Sequence, residues 1–349
     1  MKKQINSVRK VLLYSVTRWI KGGKRDASNP IEIDNIRRVL ISRPNSRLGN
    51  LLMVTPLVQD IQRQLPNAKI DLFVRGGVGY PIFENYSNVE NLIVLPSKPF
   101  KELVKYMKVW WKMRKEKYDL VLNVIPNSSS GRLSAQLSTA SLKDFGDEIE
   151  MLKKEYVDYG HMAKLPVYNF RNLLKDYGLE NDMNYPMPTL SFNLTNSELL
   201  NSEKVYQNLI GNDKPTIYIY TYATGNKCLT SEWWLSFCEK LQIQFSAYNI
   251  VEVLPKEKIS QVNFIAPSYY SIDLHEMSGV ISKGSLFITA DCGVMHLASA
   301  SNIPTLGLFN ITSIDCYGPY NGGSKAVYSD KVNQDDIIKL ANDMLNVYN

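Results

Sequence analysis

From Ile36 onward, short apolar runs alternate with stretches whose apolar residues recur every three or four positions. Apolar runs bounded by turn formers read as strands buried on both faces, and the longer spacing reads as helices with one buried side. In the first half this predicts strands at 37–42, 69–74, 91–95 and 119–125, and helices at 49–64, 100–117 and 130–140. Residues 141–184 read as helix and loop. In the second half it predicts strands at 216–220 and 249–254 and helices at 231–243, 272–283 and 335–347. The stretch 285–309 between them reads as strand, tight polar turn, helix and a strand opened by Pro304. Strands alternating with helices at this spacing mean βαβ units and parallel sheets. The two prolines of Tyr185-Pro186-Met187-Pro188-Thr189 disfavour both helix and central strand, and mark a linker. A chain of 349 residues exceeds one comfortable core. The expectation is α/β, with one doubly wound domain over 31–185 and another over 186–349. Ligands of such sheets bind beyond the carboxyl ends of the strands.

Two stretches combine apolar periodicity with dense positive charge. Residues 1–30 hold eight Lys or Arg and one acid, Asp26, a charge of +7, so the rest of a chain of net charge +6 sums to −1. Ile5, Val8, Leu12, Val16 and Trp19 share one helical face there, which predicts a helix lying on an anionic membrane surface. A packing helix or a frayed tail is the plainer alternative. The apolar run is broken by Arg18 with no small-x-small cleavage site after it, unlike a signal peptide, and it is too short and charged to span a bilayer. In the second stretch, Lys101, Lys105, Lys108, Lys112 and Lys115 form a stripe along the helix at 100–117, with Leu103, Met107, Trp110, Trp111 and Met113 on the remaining surface. One reading buries the apolar face and solvates the lysines. The other places tryptophans and lysines against a membrane.

Charge placed at one terminus of a near-neutral body argues against nucleic-acid binding. Cys228, Cys238, Cys292 and Cys316 form no Cys-x-x-Cys pair, and the three histidines are far apart in sequence, so no structural metal site is expected. The chain has no Asp-x-Asp, no Gly-x-Gly-x-x-Gly after a strand, no P-loop and no Gly-x-Ser-x-Gly elbow. What remains for an enzyme is chemistry without a metal or a covalent nucleophile.

Three constellations lie where strands turn into helices. Asp291-Cys292-Gly293-Val294-Met295-His296 aims a helix N-terminus, with its free N–H groups, at the crevice beyond a strand end, which suits a phosphate. His296 can equally be a packed helix histidine. Thr221-Tyr222-Ala223-Thr224-Gly225-Asn226-Lys227 carries a lysine able to neutralise a diphosphate, or else a surface-turn lysine. Arg47-Leu48-Gly49-Asn50 permits close backbone approach at Gly49, with Asn50 facing the cleft or simply capping the helix.

Together these pieces resemble glycosyltransferase family 9, the heptosyltransferases of lipopolysaccharide core assembly. The resemblance is carried by Arg47-Leu48-Gly49-Asn50 with Thr55-Pro56, by Lys227 ahead of a Trp-bearing helix, and by Asp291, Gly293 and His296 with Ala298, Pro304, Thr312 and Gly318-Pro319. It implies a GT-B fold, two Rossmann-like domains facing a central cleft, the first on the acceptor side and the second on the donor side. It also implies metal-independent, inverting transfer of a heptose or related sugar from a nucleotide-diphosphate sugar to a lipid-linked bacterial surface glycan. No cofactor is implied, and the chain would lie on the cytoplasmic face of the bacterial cytoplasmic membrane. Carried onto this chain, Lys227 and Thr224 would contact the donor diphosphate. Asp291, Gly293 and His296 would line the donor side, and Ile272 would sit against the nucleobase. Arg47, Gly49 and the segments 75–80 and 127–132 would face the acceptor. The family has Asp where this chain has Asn50, the catalytic position, and an amide cannot take a proton from a hydroxyl near neutral pH. Asp147, Glu148 and His161 are candidate substitutes. A non-catalytic nucleotide-sugar or glycan-binding relative, and a nucleotide-sugar epimerase, are the alternative readings.

Overall fold

The computed structural model describes residues 35–98, 101–178 and 185–348. The amphipathic segment predicted at 1–30 lies outside the described residues. The elements, in order, are β1 (Arg38–Ser42), α1 (Leu48–Leu52), α2 (Thr55–Gln64), β2 (Lys69–Arg75), α3 (Gly79–Phe83), β3 (Val89–Leu95), α4 (Leu103–Lys115), β4 (Lys117–Asn123), α5 (Ser129–Leu137), β5 (Thr139–Asp144), α6 (Glu150–Glu155) and α7 (Leu165–Asp176). There follow α8 (Asn196–Ile210), β6 (Thr216–Tyr220), α9 (Ser231–Gln244), β7 (Asn249–Val253), β8 (Ser268–Tyr269), α10 (Leu274–Ile281), β9 (Leu286–Ala290), α11 (Gly293–Ala300), β10 (Thr305–Phe309), α12 (Ile314–Tyr317), β11 (Lys325–Tyr328) and α13 (Gln334–Tyr348).

The chain divides into two compact units at Pro188/Thr189, with Leu48–Met53 grouped in the second unit. The sheet of the first has the order β3-β2-β1-β4-β5 and that of the second β11-β10-β9-β6-β7-β8. The strand pairings are parallel. Each order reverses beside its first strand, the doubly wound Rossmann topology. The central strands are apolar throughout because helices cover both faces. Val39, Leu40 and Ile41 of β1 and Leu286, Phe287 and Ile288 of β9 are fully buried. In the second unit, α9 seats Trp234, Phe237, Cys238 and Leu241 in the core, and α13 adds Ile337, Ala341 and Met344. The start of α9 is fixed by Thr230, whose hydroxyl accepts from the Trp233 N–H.

Several elements differ from the sequence expectation for identifiable reasons. The helix predicted at 49–64 is two helices, because Pro56 sits in the first turn of α2, where no N–H is needed. Residues 141–144, read as loop or helix, belong to β5, an edge strand in which only Leu142 is buried. Helix α8 went unpredicted because Ser202 alone of its residues is buried. The Thr195–Glu198 capping box marks its start, and Gly211, left-handed at φ 64°, ends it. On α4 the apolar set does not bury as one face. Met113 is buried and Tyr106, Val109 and Trp110 pack on the core, whereas Leu103, Met107 and Trp111 are exposed.

One ion pair closes the first unit. Asp60 on α2 and Arg171 on α7 are both fully buried. The guanidinium donates from Nε to Oδ2 at 3.0 Å and from Nη2 to Oδ1 at 2.6 Å, and its Nη1 donates to the Tyr185 carbonyl at 2.7 Å. This bidentate geometry offsets the desolvation of both charges. Removing one partner strands the other: Arg171→Met should cost about 3–5 kcal/mol in denaturant unfolding, and Asp60→Leu combined with Arg171→Met much less than twice that.

Candidate functional site

The site is built around Asp291, the first residue past β9. Its backbone N–H donates to the Leu308 carbonyl at 3.1 Å, so the strand pairing itself fixes its position. The buried carboxylate accepts from two loops. Lys227 Nζ donates to Oδ2 at 2.6 Å, and Thr312 Oγ1 donates to the same oxygen. Lys227 ends a single 3-10 turn, Gly225–Lys227, in the loop after β6. Gly225 has φ 66°, a left-handed conformation that favours glycine. Thr312 follows β10, and Asn310 Nδ2 donates to the Asn226 carbonyl at 3.0 Å across the same two loops. Because β10, β9 and β6 are neighbours in the sheet, three strand ends converge on one carboxylate. Lys227 is thereby held, a third exposed, at the carboxyl edge of the second sheet. A fixed ammonium there is a ready counter-charge for an anion.

Beside it, α11 starts at Gly293. The Val294 and Met295 N–H groups face the Cys292 sulfur. Burial nevertheless dominates and pushes the thiol up to about 11, so Cys292 stays protonated. The two glycine motifs singled out separately in the sequence meet here. A Cβ on Gly293 would lie 3.3 Å from the Gly49 nitrogen, and one on Gly49 would lie 2.5 Å from His296 Cδ2. Helix α1 therefore lies against the first turn of α11, with the buried His296 ring filling the space above Gly49. His296 thus packs as a buried helix histidine, the plainer of its two sequence readings. Asn50, also on α1, is half-buried. Arg47 and Thr224 are exposed, as is Ile272 in the turn before α10.

The candidate substitutes for a base are engaged elsewhere in the first unit. Asp147 pairs with the buried Arg132, and Glu148 pairs with Lys153 at 3.2 Å. His161 is buried, and its Nδ1 accepts from the Ala163 N–H at 3.2 Å. The carboxyl end of this sheet is tightly tied. Asn123 Nδ2 donates to the Ile125 and Phe145 carbonyls at 2.8 and 2.7 Å. Gly146 is left-handed at φ 71°, with no room for a Cβ against the Asn123 carbonyl. Asp144, unpredicted, lies at the end of β5. Desolvation of this half-buried side chain pushes its carboxyl up to about 6, against the lowering effect of the Gly146 N–H that it accepts at 2.9 Å. No sequence signal marks it, because a lone Asp before Phe-Gly is an ordinary turn. Asn226, Asn310 and Arg132 were likewise unremarkable by spacing. Thr312 stood out only through the family resemblance.

With this geometry in place, the sequence profile of glycosyltransferase family 9 (heptosyltransferase) matches residues 106–342. The chain belongs to glycosyltransferase family 9. The match includes Lys227, Asp291, Gly293, His296 and Thr312, and it begins beyond the Arg47–Pro56 motif. Solved structures share the fold. The glycosyl transferase family 9 protein from Veillonella parvula DSM 2008 is 16% identical with a TM-score of 0.71, covering 91% of this chain and 99% of that one. E. coli ADP-heptose LPS heptosyltransferase II is 16% identical with a TM-score of 0.61, over 90% of this chain and 99% of its own. E. coli heptosyltransferase WaaC with ADP is also 16% identical, with a TM-score of 0.63, over 88% and 99%. Among curated proteins, none matches the chain. The family 9 chain thus has the GT-B fold of paired parallel-sheet domains and is a glycosyltransferase.

Gly49→Ala should destabilise this glycosyltransferase by about 1–3 kcal/mol, because the His296 ring has to shift. Gly77→Ala, where a Cβ meets nothing within 4 Å, serves as the control. Thermal or urea unfolding checks both. For Asp144 the folded state holds the proton more tightly than the unfolded chain, so ionisation costs stability as pH rises towards and past about 6. Asp144→Asn should therefore be more stable than wild type at about pH 7.5, with the advantage gone at about pH 4, by urea titration at each pH.

Proposed function

We propose that the second unit binds a nucleotide-diphosphate sugar and that the chain transfers the sugar, with inversion and without a metal, to a lipid-linked bacterial surface glycan. The observation that carries this reading is the Lys227–Asp291–Thr312 cluster at the carboxyl ends of β6, β9 and β10, next to the start of α11. It presents one fixed positive charge and a helix N-terminus on one edge, the pair of features a departing diphosphate needs. Structures of the similar E. coli heptosyltransferase WaaC are with ADP or with ADP-2-deoxy-2-fluoro heptose, which favours a heptose donor.

In this reading the acceptor hydroxyl attacks the anomeric carbon from the face opposite the diphosphate. The new C–O bond forms as the bond to the phosphate oxygen breaks, and the nucleoside diphosphate leaves with the bonding electrons. Lys227 and the first turn of α11 stabilise that charge as it develops. Asp291 aims the ammonium, and Thr312 keeps the carboxylate in place. Thr224 assists at the phosphates, and Ile272, exposed in its turn, packs on the nucleobase. Asn50 orients the hydroxyl through its amide oxygen, and the proton passes to water. The lipid-linked acceptor places the chain on the cytoplasmic face of the bacterial membrane, where the basic segment at 1–30 would contact anionic lipid.

Mixing the protein with ADP-heptose and a heptose-accepting glycolipid should release ADP only when both are present. Release from donor alone would indicate an epimerase-like or hydrolytic activity, and binding without release a non-catalytic relative. Lys227→Ala should weaken ADP binding by about 1–3 kcal/mol in calorimetry; an unchanged affinity would remove the assignment.

A further inference from the structure

Helix α4 has three faces rather than two. Tyr106, Val109, Trp110 and Met113 lie on the core, where Trp110 meets Phe73 edge-on with ring centroids 5.1 Å apart. A second face is apolar and exposed: Leu103, Val104, Met107 and Trp111 have relative exposures of 58%, 71%, 60% and 61%. At helical spacing these four fall within one arc of roughly 100°. The third face carries Lys105, Lys108, Lys112 and Lys115, all exposed. Lys115 Nζ lies 3.4 Å from the Trp111 ring centroid, so the cationic and apolar faces meet at one edge. The helix contains no acid. The acids flanking it are engaged, Glu102 with Lys105 at 3.6 Å and Glu116 with Arg38 at 2.9 Å.

Four large apolar side chains on one exposed arc are not explained by folding, since burying them contributes nothing to the core of their own unit. Lysines alone would be an ordinary solvated face. An apolar arc bordered by lysines with a tryptophan at the seam is the pattern of a helix that lies in a lipid headgroup layer. Among the described residues no helix is long and apolar enough to cross a membrane.

We propose that the exposed apolar and lysine faces of α4 form a docking surface for an anionic phospholipid membrane, with Leu103, Val104, Met107 and Trp111 entering the headgroup region and the lysines pairing with lipid phosphates. This rests on the lipid-linked acceptor proposed above, which such docking would bring to the first unit. The positive charge of the stripe complements anionic lipid phosphates, and the exposed apolar residues beside it favour a lipid surface over an acidic protein partner, which the charge alone would serve.

The test is flotation of the full-length protein with vesicles of phosphatidylglycerol and phosphatidylethanolamine, or of phosphatidylcholine alone. The wild type should partition to the anionic vesicles. Both Met107→Ser/Trp111→Ser and Lys105→Glu/Lys108→Glu/Lys112→Glu should lower that partition by roughly tenfold or more, with unfolding midpoints unchanged. The basic segment at 1–30 is intact in both variants, so partition equal to wild type would overturn the assignment to α4. Equal binding of wild type to phosphatidylcholine would overturn its electrostatic part. Tryptophan emission should also shift to the blue on anionic vesicles in wild type and less so in Trp111→Ser; identical shifts would count against insertion. Lys227→Ala should bind vesicles as wild type does, so loss of nucleotide binding and loss of docking are read separately.

Discussion

A charge buried in a parallel sheet covered on both faces has to be partnered by the elements around it, and the second unit depends on that constraint. Its strands β6, β9 and β10 are buried along their whole length. The carboxylate of this strand stands at Asp291, one residue beyond the end of β9. Once there, out of bulk water, the carboxylate has to be partnered. The loops after β6 and β10 supply Lys227 and Thr312, so the partnering that stabilises Asp291 also fixes a cation at the sheet edge. Structure and chemistry share one set of contacts.

The same economy of space governs the start of α11. Close approach of α1 requires glycine on both sides, at Gly49 and Gly293, and the His296 ring occupies what remains. Asn50, one residue on, stands where the sequence resemblance to family 9 leads one to expect an acid. The Lys227–Asp291–Thr312 cluster thus rests on contacts that strand geometry fixes, whereas Asn50 is a single half-buried side chain on α1.

What was legible in the sequence follows from burial. The strands read correctly, β1 to β4, β6, β7, β9 and β10, are those with enough buried apolar residues to leave a run in the sequence. Edge strand β5 has one buried residue and β11 has none fully buried, so neither leaves such a run. Lys227, Asp291, Gly293 and His296 were visible because they sit at strand-to-helix turns, where residue type is restricted by backbone geometry. Their coupling was not visible: nothing in the spacing says that Lys227 and Thr312 share one oxygen of Asp291. Asp144 was invisible for the opposite reason, since its property comes from desolvation in the fold, which no local pattern marks. On α4 the periodicity was right and the partition of its faces was not, because spacing alone cannot tell an apolar residue facing the core from one facing outward.

The pair between Asp60 and Arg171 bears on the order in which the chain is made. The two residues are 111 positions apart. A growing chain that already holds β1 to β4 and α2 therefore carries Asp60 in an apolar layer with its counter-charge still unsynthesised. Tyr185, whose carbonyl accepts from Arg171 and whose ring lies beneath Arg63, extends that dependence almost to Pro188. The first unit cannot reach its final packing on the ribosome until nearly its last residue has emerged, so any shorter N-terminal fragment would be a partly folded species bearing an unneutralised interior carboxylate.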